Sequence, residues 1–97
     1  MPFTKLRLIK YVSSFTDGRV RIRHPALRRA DTLQTVLGAL KAMNGIQSVE
    51  GNVASGSLLI LYDCATIPRE RLMAVGEDWA FYLDAIHANQ KPQIPTV

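Results

Sequence analysis

The sequence predicts an α+β sandwich: a four-stranded antiparallel sheet with two helices on one face. Three observations predict it. Strict alternation over Arg19–Arg23 and a continuous apolar run over Ser57–Tyr62 mark two strands. Apolar residues at 33, 36, 37 and 40, and again at 72, 75, 79, 83 and 86, recur at helical spacing and give two buried stripes. The order strand, strand, helix, strand, strand, helix suits helices gathered on one face of an antiparallel sheet.

Each element has its own local signal. Residues 6–12 mix apolar and basic side chains and read as a first strand, followed by turn chemistry over residues 13–18 that ends in Asp17-Gly18, a hairpin signal. In Arg19–Arg23, period two sets Val20 and Ile22 on one face and three arginines on the other. Pro25 ends that strand. Asp31 reads as the N-cap of the first helix, with Gln34 three residues on where it can reach back. Leu33, Val36, Leu37 and Leu40, then Met43, follow at helical spacing, and Asn44-Gly45 stops the helix. Residues 46–53 form the third strand, residues 54–56 a turn, and Ser57–Tyr62 the fourth strand. Pro68 marks the start of the second helix, where its missing N–H costs nothing, and the helix runs to about His87. Residues 1–88 therefore read as a single domain, and residues 89–97, with Pro92 and Pro95, as an irregular C-terminal tail.

This order resembles the ferredoxin-like β-α-β-β-α-β arrangement with its last strand missing and an extra strand placed first. An N-terminal strand hairpinned to the first core strand then takes the position of the usual fourth strand.

Composition narrows the function classes. The chain has 97 residues, 47% hydrophobic and 21% charged, as expected of one soluble globular domain. Charged residues interrupt every apolar run near the N-terminus, so neither a signal peptide nor a membrane span is expected. Cys64 is the only cysteine, which precludes an internal disulfide and suits a cytoplasmic location. The net charge of +4 is uneven: residues 1–29 hold eight Lys/Arg against one Asp, a local balance of +7, and the remainder carries −3. Such an end points to an anionic partner or to a solvated basic face.

Three segments carry a family resemblance: Gly18-Arg19-Val20-Arg21-Ile22-Arg23, Met43-Asn44-Gly45-Ile46-Gln47-Ser48-Val49, and Gly56-Ser57-Leu58-Leu59-Ile60-Leu61-Tyr62-Asp63. Together they resemble the heavy-metal-associated (HMA-like) superfamily over about residues 10–85. The nearest branch is the heavy-metal-associated domain 2 group, which opens with a Gly-Arg-x-Arg strand and commonly lacks the cysteine pair. In metallochaperone members two cysteines of the first loop bind a soft cation. Counting back from Gly45 places those positions at Arg29 and Thr32, neither of which supplies a thiolate. The resemblance implies a role in metal or haem handling, beside a membrane transporter, with the thiolate site absent.

No residue pattern supports catalysis. There is no Ser/His/Asp or Cys/His arrangement with local signature residues, and no Gly-rich phosphate loop. His24, His87 and Cys64 are too dispersed to suggest a shared metal site, and each reads as local structure. If Leu58, Ile60 and Tyr62 face the helices, Leu59 and Leu61 face away beside Arg19, Arg21 and Arg23. An apolar centre with a basic rim suits self-association, a protein partner, or a flat anionic ligand such as haem. RNA binding is the weakest expectation, because neither central strand carries an outward aromatic on which a base can stack. The sequence thus points to a non-enzymatic binding module without a cofactor. Its site residues are Arg19, Arg21, Arg23, Leu59 and Leu61.

Overall fold

A computed structural model describes residues 8–95. Four strands, β1 (Val12–Thr16), β2 (Arg19–Arg23), β3 (Ile46–Asn52) and β4 (Ser57–Tyr62), form one sheet in the order β1-β2-β4-β3, with every neighbouring pair antiparallel. Two helices, α1 (Ala30–Lys41) and α2 (Arg69–His87), cover one face. The fold is the expected α+β ferredoxin-like sandwich.

The N-terminal strand is displaced along the chain. Residues 6 and 7 lie outside the described residues, and Leu8–Lys10 forms a 3-10 turn in place of a strand. Leu8 is buried against α2 beside Gly76, and its backbone N–H donates to Glu77 Oε2 at 2.9 Å. Leu8 therefore serves the helix layer, while Ile9 is exposed. The strand falls instead on Val12–Thr16, much of which had read as turn. A bulge between Val12 and Ser14 explains the misreading: one extra residue shifts the phase, so Val12 and Phe15, three apart, both face the core. The pairing is as expected, with β1 hairpinned to β2 through Asp17-Gly18 at the sheet edge, and Gly18 adopting a left-handed φ of 86°.

The core lies between sheet and helices. Val20, Leu58, Ile60, Tyr62 and Val49 from the sheet meet Leu33, Val36 and Leu40 of α1 and Leu72, Val75, Trp79 and Leu83 of α2. Both helical stripes thus face inward. Tyr62 is buried among the core residues, its hydroxyl included. That hydroxyl and Trp79 Nε1 have no hydrogen-bond partner among the described residues. The start of α1 also differs from the sequence reading. Arg29 is the N-cap, Asp31 lies inside the first turn, and Asp31 Oδ1 accepts from the Thr32 backbone N–H at 2.8 Å. The carboxylate still satisfies an otherwise orphaned donor, from the second helical position and not from the N-cap position a capping box uses. Among the described residues no helix is long and apolar enough to cross a membrane.

Candidate functional site

The register of the sheet builds its uncovered face row by row. Arg19 pairs with Leu61 and Leu61 with Ser48; Arg21 pairs with Leu59 and Leu59 with Glu50; Arg23 pairs with Ser57 and Ser57 with Asn52. Directly paired residues on antiparallel strands point to the same side, so these three rows share the face opposite the helices. Each row runs from an arginine on β2, over an apolar or small residue on β4, to a polar residue on β3. The three arginines and Glu50 are exposed, whereas Leu59 and Leu61 are half-buried between their neighbours. None of the four charged groups forms an ion pair among the described residues. A depression of about 250 Å³ opens on this face between Arg21, Leu59, Glu50, Gly51, Asn52 and Ser57.

The first loop has a different character. After β2, Pro25–Arg28 forms a 3-10 turn, and Arg28 fixes it to the β3–β4 turn through two guanidinium bonds to the Ala54 carbonyl, at 3.2 and 3.3 Å. Arg29 is exposed and approaches Asp31 at 3.5 Å, while Thr32 is buried in the first turn of α1. The Thr32 backbone N–H, with the Arg29 guanidinium second, holds the Asp31 carboxyl below its ordinary pKa. Neither Arg29, exposed, nor Thr32, buried, carries a soft donor. Among the described residues, no three His, Cys, Asp or Glu side chains converge so as to hold a metal ion. Cys64 is exposed just beyond β4.

Beneath the loop lies a buried polar cluster that the sequence did not disclose. His24 is 1% exposed. Its Nδ1 accepts from the Ala26 N–H at 3.0 Å, which places the ring proton on Nε2, aimed at Asp84 Oδ1 at 2.8 Å. Asp84 also accepts from the Tyr11 hydroxyl. The Tyr11 and His24 rings lie 4.2 Å apart, and the His87 ring is 6.3 Å from His24. Burial lowers the His24 pKa and outweighs the opposing pull of Asp84. The ring is thus a neutral link joining the loop, the N-terminal segment and α2, with both nitrogens occupied. Asp84 and His87 lie one helical turn apart on α2, and of the two only His87 was singled out in the sequence, as local structure. Only the spacing from Asp84 to His87 hinted that one helix face carried both.

The sequence profile of the family described as Heavy metal associated domain 2 matches residues 4–96. No curated protein and no solved structure matches the chain. The match spans nearly the whole chain and takes in the sheet, both helices and the thiolate-free first loop together, and the chain therefore belongs to the heavy metal associated domain 2 family.

Proposed function

We propose that the chain is a non-enzymatic interaction module of the metal-associated type that works without thiolate chelation and engages a protein partner through the open face of its sheet. One observation carries the reading: Leu59 and Leu61 stand uncovered at the centre of a face rimmed by Arg19, Arg21 and Arg23. A half-exposed apolar centre with a charged rim is the pattern of a surface that is covered in use. The first loop offers no soft donor at Arg29 or Thr32, so binding is assigned to the sheet and not to the loop. Membership of the family supports a metal-associated role, and we assign the module to metal or haem handling in a cytoplasmic setting beside a transporter.

A second reading is favoured by the depression beside Arg21, where a flat anionic ligand such as haem can lie against Leu59. Nucleic acid has less support, since the outward positions of β2 and β4 are Arg19, Arg21, Arg23, Ser57, Leu59 and Leu61, with no ring for base stacking.

Site-specific photo-cross-linking in the native host tests the main reading, with the photoreactive residue placed at position 59 or at position 29. A protein adduct at 59 and none at 29 is the expected result. An adduct at 29 alone, or Soret absorbance on haem titration that is lost in Arg21→Glu, would replace it.

A further inference from the structure

We infer that the occupant of this face is a second copy of the chain, docked about a two-fold axis that runs parallel to β4; this rests on the reading of the open face as the binding surface. The register decides it. Three arginines on one face forbid self-docking only if they must face each other. A two-fold axis lying in the interface along β4 carries β2 of one copy over β3 of the other. Arg21 then faces the second copy's Glu50, Arg19 faces Ser48, and Arg23 faces Asn52, each twice by symmetry. Leu59 and Leu61 each meet their own counterpart on the axis.

The middle row is the strongest part of the match. Arg21, Leu59 and Glu50 form a cation–apolar–anion sequence across three strands. It becomes its own complement when reversed, which is the property an isologous contact needs. The alternative axis, across the strands at Leu59, sets Arg21 against Arg21 and Glu50 against Glu50, so like charges exclude it. Shape agrees with charge. The depression of about 250 Å³ bounded by Glu50, Asn52, Ser57 and Leu59 lies where the second copy's Arg21 and Arg23 descend. β1 overhangs beyond the contact, leaving Ser14 and Thr16 at the rim.

The area sets the strength. Three strands of about five residues, at spacings of about 4.8 and 3.3 Å, give a footprint of only roughly 200–300 Å² per copy. That is well below the roughly 800 Å² per partner of a standard stable interface. The dimer is therefore weak, concentration-dependent and salt-sensitive.

Charge reversal tests both the partner and the axis. Sedimentation velocity is run at low salt on the wild-type chain, on Arg21→Glu, on Glu50→Arg, on an equimolar mixture of the two variants, and on the double variant. The wild type is expected to shift from monomer to dimer with concentration. Each single variant, which faces like charge with like, is expected to weaken association by about tenfold or more. The mixture and the double variant, which restore opposite charges, are expected to recover it. Recovery also shows that the exposed substitutions leave the fold intact. A wild type that stays monomeric at every concentration overturns the second copy as occupant. A cross-link from position 59 to a different protein would in that case leave the binding-face reading standing. A wild-type dimer that neither single variant weakens, or that the mixture does not restore, overturns the axis.

Discussion

His24 Nε2 lies 2.8 Å from Asp84 Oδ1, joining the end of β2 to the last turns of α2 across 60 residues of sequence. The same carboxylate receives the Tyr11 hydroxyl, and the other histidine nitrogen caps the 3-10 turn of the first loop. A soft-metal site in this superfamily would draw on loop side chains, but here the loop is anchored from beneath by a neutral imidazole.

This arrangement predicts an acid-sensitive fold. Burial holds the His24 pKa below the ordinary imidazole value of about 6.5. The unfolded chain therefore takes up a proton at a higher pH than the folded one, and between the two values the unfolded state binds more protons. Stability follows with a positive slope against pH: the contribution is present above the unfolded value of about 6.5 and is lost as pH falls below it toward the lower folded value. Urea midpoints measured from pH 8 to pH 5 are expected to fall over that window. His24→Gln is expected to flatten the fall while lowering the midpoint at pH 8.

Removing only the Tyr11 hydroxyl isolates one arm of the cluster. Tyr11→Phe keeps the ring contact with His24 and deletes a donor to a carboxylate, so a loss of about 1–2 kcal/mol is expected in chemical denaturation. Paired with Asp84→Asn, the two losses are expected to be non-additive, because both substitutions touch one bond.

Gly56 and Gly38 make a contrasting pair. Gly56 has a φ of 68°, and a Cβ there would stand 2.7 Å from the His24 carbonyl oxygen, a backbone atom that is itself held in place. Gly56→Ala is expected to cost about 1–3 kcal/mol. Gly38 lies within α1 with nothing within 4 Å of an added Cβ, so Gly38→Ala is expected to stabilise by about 0.5–1 kcal/mol through helix propensity. Thermal melts of both variants check the opposite signs.

At the first loop, competitive titration with a chromophoric chelator is expected to find no submicromolar site for Cu(I) or Zn(II). Arg29 repels a cation, and Thr32 is buried with a hydroxyl as its only side-chain donor. One equivalent bound tightly, and lost on changing residues 24–32, would contradict this.

The elements with a clean period were legible in the sequence. Arg19–Arg23 and Ser57–Tyr62 were read with their observed bounds, because alternation or unbroken apolar character leaves one solution. The helical stripes mark the buried sides of α1 and α2, whereas the unbroken apolar run of β4 leaves either of its faces open to the core in sequence. The first strand was misplaced because a bulge breaks the period and because Leu8 packs on α2, a tertiary choice that no local pattern records. The His24 cluster was hidden for a related reason. Tyr11, His24 and Asp84 come from three separate segments, and a buried histidine reads in sequence like an exposed one until its partners are brought in from afar.

The hairpin at the edge of the sheet also bears on how the chain reaches its native state. When the strand beside β2 is supplied from the far end of a domain, that edge waits for a loop spanning most of the chain to close. Here two residues separate Thr16 from Arg19, so the pairing of β1 with β2 can form on the microsecond timescale of an isolated hairpin. The entropy of long-loop closure is removed from that edge and concentrated in the docking of β4 onto β2. Collapse of the Leu58–Ile60–Tyr62 face onto a preformed hairpin then becomes the slow event. Substitutions in β1, whose pairing is already formed at that step, and in β4, which docks in it, should both slow refolding more than they speed unfolding.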